Sequence, residues 1–158
     1  MTTPCAAPVP LKSKTLATWI TLLGGPMGLH RFYLYGFGDL WGWLHPIPTL
    51  VGAWGIRRVQ ELGLDDRLSW ILIPILGFMV AYTMLQAIVY GLTPDERWHQ
   101  RHNPQLVGQA DLPSSGWAVV IGIVLALMLG ATVLMSTIAF SGQRYFESQV
   151  DEALKISQ

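Results

Sequence analysis

The residues most able to do chemistry sit inside an apolar stretch at 15–56, which only His30, Arg31, Asp39 and His45 interrupt. A guanidinium in such a stretch is costly unless its head reaches an interface or finds a counter-charge. Asp39 follows the Gly36-Phe37-Gly38 run, a natural turn because glycine accepts positive φ. Arg31 and Asp39 are therefore expected to pair and close a helical hairpin. Asp39 also stands where an N-cap belongs, with its charge at the positive end of the next helix. His45-Pro46-Ile47-Pro48 and Gln86 place further polar groups in apolar segments. Prolines free backbone carbonyls, and broken helices line binding sites in some transporters. Kinked packing is the expected use here.

Other constellations are weaker. His99 and His102 have ligand-like spacing beside Asp95 and Glu96, yet a metal needs a third donor and no His-Glu-x-x-His run is present. No nucleophile elbow, Ser-x-x-Lys or phosphate loop occurs. Gly36-x-Gly38 follows no strand, so it is no dinucleotide fingerprint. The expectation is no catalytic residue, no metal, no cofactor and no enzyme.

The elements around these residues are helical. Residues 68–92 and 117–140 contain no charge, and each exceeds the roughly 20 residues a helix needs to cross a bilayer core. Backbone in lipid must satisfy itself, which dictates helix. Pro74 should kink the first of these. Residues 15–56 would make roughly 63 Å of helix, just enough for two crossings of a core about 30 Å thick. The predicted fold is all-α: a polytopic membrane protein with about four transmembrane helices, the first two a tight hairpin. Trp41, Trp43, Trp54, Trp70 and Trp117 fall near the expected ends, at the headgroup level tryptophan prefers.

Composition agrees. The 158 residues are 51% hydrophobic and 13% charged, too few charges to coat a soluble surface. Basic and acidic residues cancel, leaving no stripe for nucleic acid. The expected division is a mobile N-terminal tail (1–11, with Cys5), the hairpin (12–58), two further spans (59–140) with an interfacial loop at 93–115, and a C-terminal tail (141–158). Thr93-Pro94-Asp95-Glu96 reads as a capping box opening a short helix. Gly122, Ala126 and Gly130 recur every four residues, as do Gly24 with Gly28 and Gly38 with Gly42. Such rows let helix backbones approach. Packing within the monomer is the expected use of the first row, with homo-oligomerisation the alternative.

Lys12-Ser13-Lys14, Gly24-Gly25-Pro26-Met27-Gly28-Leu29 and His30-Arg31-Phe32-Tyr33-Leu34 resemble the two-transmembrane (TM2) domain family over about residues 11–58. The resemblance implies two helices joined by a short turn, with His30, Arg31 and Phe32 as its motif. It departs at Tyr35, where that family usually has glycine. It implies a fold and a location more than an activity. The functional expectation is a non-catalytic interaction or scaffold protein of a bacterial-type inner membrane, with lipid and other membrane proteins as partners. A small oligomeric transporter or channel is the alternative. For a four-span chain, the lysine and arginine excess predicts both termini in the cytoplasm.

Overall fold

The computed structural model describes residues 11–106 and 114–157. Residues 1–10 of the N-terminal tail expected at 1–11, Cys5 included, and residues 107–113 of the interfacial loop lie outside them. Among the described residues there are helices and no strand: α1 (Lys14–Gly24), α2 (Leu29–Tyr35), α3 (Leu40–Leu44), α4 (Pro46–Leu62), α5 (Arg67–Leu92), α6 (Asp95–His102) and α7 (Trp117–Ile156). Two of them, α5 and α7, are long and apolar enough to cross a membrane.

The first stretch folds differently from the expected pair of crossings. Helix α1 has 11 residues, about 16 Å, or roughly half a bilayer core. A 3-10 turn at Gly25–Met27 then ends it, and Gly28 at φ 76° reverses the chain into α2. A Cβ on Gly28 would stand 2.3 Å from the Gly42 carbonyl oxygen, so the turn presses against α3. Helix α2 returns to the end where α1 began. The Ser13 amide donates to the Tyr33 hydroxyl at 2.8 Å, and Lys12 Nζ donates to the Leu34 carbonyl. The chain thus turns back twice, at Gly25–Gly28 and again at Gly36–Gly38. The continuous-helix length argument fails because the Gly-Gly-Pro-Met-Gly run breaks the first rod.

The longer rods follow. His45 joins α3 to α4 with helical dihedrals (φ −60°, ψ −41°), so the two run on as one. Helix α5 packs against α1, α4 and α7, with Pro74 inside it. Its interfaces are close at Gly52 and Gly55, which face Leu76 and Leu72, and at Gly77 and Gly91, which face Thr137 and Ile123. Leu22, Met84, Ala87 and Ala126 form one core cluster, and Ala17, Leu34 and Trp98 another. Gly122, Ala126 and Gly130 face inward: a Cβ at Gly122 would meet Thr18, and one at Gly130 would meet Met84.

This path places the N-terminal end of α1, the Gly36–Gly38 turn and α6 at one end of the bundle, here the near end. Lys14 Nζ meets Asp95 Oδ1 at 2.6 Å and donates to the Thr93 carbonyl. A four-span topology would set Lys14 and Asp95 on opposite faces; here they meet, and α5 and α7 are the described helices long and apolar enough to cross a membrane. The 62–67 connection and the C-terminal part of α7 occupy the far end, where Arg144 lies over the Trp70 ring. The described ends of the chain therefore lie at opposite ends of the bundle, not on one side. The basic residues now divide evenly: Lys12, Lys14, Arg31, Arg97 and Arg101 near, Arg57, Arg58, Arg67, Arg144 and Lys155 far.

Candidate functional site

Three constructions carry polar chemistry, and the first is a pair of clasps. Arg31 Nε donates to Asp39 Oδ2 at 2.5 Å and Nη2 to Oδ1 at 3.2 Å. Asp39 also accepts the Gly42 amide as the N-cap of α3. Trp43 Nε1 donates to the Phe37 carbonyl. The Phe32 ring packs on Phe37 and Trp43, so the His30-Arg31-Phe32 run splits: Phe32 and Arg31 serve the turn while His30 points inward. At the far end Arg58 Nε and Nη2 donate to Asp66 at 2.9 and 2.8 Å. Asp66 caps α5 through the Ser69 amide, and Trp70 Nε1 donates to the Leu64 carbonyl. Both turns obey one pattern, Arg-x4-Gly-x2-Asp-x3-Trp, from Arg31 to Trp43 and from Arg58 to Trp70. Its glycines match too: Gly36 at φ 83°, ψ 175° and Gly63 at φ 86°, ψ −179°. A bidentate guanidinium–carboxylate pair is directional as well as charged. The Arg58 guanidinium, with the Ser69 hydroxyl, holds Asp66 well below the usual carboxylate range.

The second construction locks the near end. The Lys12 amide donates to Asn103 Oδ1 at 2.8 Å, and the Lys12 carbonyl accepts from Trp98 Nε1 and Asn103 Nδ2 at 2.8 and 3.0 Å. Trp98 and Asn103 are both fully enclosed. Asp95 accepts from the Ser115 amide and hydroxyl at 3.0 and 2.5 Å. Burial pushes the Asp95 carboxyl up, but Lys14 and Ser115 outweigh it and hold it at about 2. No capping box forms at α6, since the Thr93 hydroxyl turns back to the Val89 carbonyl. His99 Nδ1 lies 3.0 Å from Asn103 Nδ2, and the His102 ring lies tilted against Trp98 with centroids 4.4 Å apart. Burial, with Arg101 and Lys12 nearby, keeps His102 below the ordinary histidine value.

The third construction lies inside the bundle and gathers residues from three elements. His30 of α2 and His45 at the α3–α4 joint have ring centroids 5.3 Å apart, and Tyr90 and Tyr82 of α5 flank them at 6.0 and 6.3 Å. Gln86 of α5 donates to the Tyr82 hydroxyl at 2.6 Å. His30 is wholly buried, and neither of its ring nitrogens has a partner; His45 Nε2 and Gln86 Oε1 are likewise buried and unpartnered. The expected polar residues His45 and Gln86 thus face one centre. His30 completes it, a role its place in the motif concealed. Among the described residues, no group of three or more histidines, cysteines and carboxylates is arranged to hold a metal.

Comparison with known proteins returned no matching family model, no similar curated protein and no similar solved structure.

Proposed function

We infer that this chain is an integral membrane protein of a bacterial-type inner membrane, non-catalytic, that works by helix contacts with other membrane proteins. Three crossings carry it, α3–α4, α5 and α7, with α1 and α2 as a half-depth hairpin. The observation behind this reading is the apolar exterior of α5 and α7. Ile71, Leu85, Leu127, Met128 and Met135 are all exposed on the isolated chain, a sheath suited to hydrocarbon rather than water. The half-depth hairpin satisfies the rule that non-helical backbone at membrane depth must be buried in protein: the Thr49 hydroxyl donates to the Pro26 carbonyl at 2.6 Å, and Gly25 abuts Thr83. Kinship with TM2 proteins belongs to this reading and rests on the Gly28–Leu34 run and the Arg31–Asp39 clasp.

Two measurements test it. Cys5 is the sole thiol, so an impermeant maleimide should label either Cys5 or a Cys5→Ser, Ser157→Cys variant in intact spheroplasts, not both. Labelling of both would sink the three-crossing arrangement. Affinity purification from native membranes in mild detergent should return defined membrane-protein partners; a chain that purifies alone would overturn the scaffold role. A second reading, a small oligomeric transporter or channel, is favoured by one observation: His30, His45 and Gln86 gather beside the Gly25–Gly28 break between α1 and α2, as polar groups do beside broken helices in transporter sites. It requires flux in proteoliposomes that His45→Ala abolishes at unchanged protein level.

A further inference from the structure

We propose that His30, His45 and Gln86 form a buried site for one proton, carried on the His30 ring between two waiting acceptors. The argument is an inventory of hydrogens and does not depend on the scaffold role. His45 Nδ1 lies 2.6 Å from the Trp41 carbonyl, which can only accept, so Nδ1 holds the hydrogen and Nε2 presents a lone pair. Gln86 spends its amide hydrogens on the side of the Tyr82 hydroxyl and turns Oε1, an acceptor, inward. Neutral His30 offers one N–H and one lone pair. It can satisfy one of these two acceptors, and its own lone pair becomes a third. One added proton turns both His30 nitrogens into donors, and the two acceptors match them. The added proton forms one N–H bond and breaks none.

Spacing permits this. A hydrogen bond of about 2.9 Å between two ring nitrogens places the ring centroids about 5 Å apart, and His30 and His45 stand at 5.3 Å. Gln86 and Tyr90 are α5 side chains that bear on His30.

On α2, Arg31 is adjacent but committed to Asp39, the only carboxylate near from the following turn. His45 is the titratable group from the α3–α4 joint. Helix α5 contributes the phenols Tyr82 and Tyr90, and α1 contributes none, its nearest polar groups Thr18 and Thr21 being bonded to their own helix. Helix α6 reaches the cluster through Trp98 against Tyr90, and its charged Arg101 also bears on the Tyr90 phenol.

The test is side-chain nitrogen NMR of ¹⁵N-histidine-labelled full-length protein in lipid nanodiscs, titrated from pH 8 to pH 4.5. His30→Asn and His45→Asn spectra assign the rings. His30 should pass to the doubly protonated form while His45 keeps its hydrogen on Nδ1. Gln86→Leu, which removes one acceptor, should lower the proton affinity of His30 about tenfold, and Gln86→Glu should raise it by at least as much. A neutral His30 throughout, in a protein still folded by circular dichroism, would overturn the proposal. So would a proton affinity indifferent to both Gln86 variants, or uptake at His45 instead.

Discussion

The two clasps use the same residues at the same spacing, yet their settings differ. At Arg31–Asp39 the turn is buttressed: Lys12 reaches the Leu34 carbonyl and His102 packs on Tyr35. At Arg58–Asp66 the tip of the turn is open, with Leu62 and Leu64 60% and 56% exposed, and the contact from outside is Arg144 of α7 over the Trp70 ring. The local chemistry, a bidentate pair doubling as an N-cap, is self-sufficient. The near turn gains a hydrogen-bonded buttress, the Lys12–Trp98–Asn103 lock, where the far turn has a cation–ring contact from Arg144. A short pattern can therefore set the geometry of a turn without specifying what surrounds it.

The sharpest way to break the comparison is to remove the lock. Trp98→Ala should cost about 3–5 kcal/mol, the range for deleting a buried aromatic. Hydrogen exchange should rise in 12–16 and 31–40 and stay unchanged across 58–70. Equal loosening of both turns would mean the near clasp draws no support from α6.

The glycines come next. Gly36 and Gly63 occupy a backbone region open almost only to glycine, and neither has a neighbour within 4 Å of a built Cβ. Alanine at either should cost about 1–3 kcal/mol from strain alone. Thermal unfolding in detergent should give matching losses for the two variants. A large mismatch would show that the turns are equivalent in sequence only.

Smaller still is the effect of the charges. Asp66→Asn should lower the unfolding midpoint more than Asp39→Asn, because Asp66 also accepts the Ser69 hydroxyl. Exchanging Arg31 with Asp39 should recover part of the loss seen in each single variant, the N-cap being forfeited in the exchange. Strict additivity in that cycle would remove the pair as a coupling element.

The mildest probe is acid. Asp95 is held at about 2 and Asp66 lower still, against about 3.9 for a free aspartate. A depressed carboxyl contributes stability above its unfolded value and loses it as pH falls through the folded one. The Lys14–Asp95 tie should weaken between about pH 4 and pH 2, and the Arg58–Asp66 turn should outlast it. Exchange at α6 and at 62–67, followed down that range, would reverse this order if the far clasp were the weaker.

Much of the helical content was legible, because 68–92 and 117–140 lack charges and few structures tolerate that. The Arg31–Asp39 geometry was legible from a cation, a glycine turn and an N-cap residue in sequence. The path of the first stretch was not. Gly24-Gly25-Pro26-Met27-Gly28 reads equally as a small-residue packing row or as a helix break, and only the contacts with Thr49, Thr83 and Gly42 decide it. Counting apolar length assumed an unbroken rod. The second clasp was readable yet unread: Arg58, Asp65, Asp66 and Arg67 look like a solvated connection until the pattern at Arg31 is laid over them. His30 was hidden for a related reason, since a residue inside a turn motif is credited to the turn.

On the membrane arrangement proposed above, the half-depth hairpin also constrains how the chain is made. Its tip rests on Thr49 and Thr83, and Trp19 Nε1 donates to the Ala118 carbonyl. Synthesis proceeds from the N-terminus, so α1 and α2 leave the ribosome before any of these docking partners exist. An 11-residue helix ending in glycines and a proline cannot cross a bilayer by itself. It must wait at the surface and enter only when α5, and finally α7, have been delivered. A segment translated ahead of its docking partners is thus among the last to reach its place, and a ribosome stalled before Trp117 should leave it where proteases can find it.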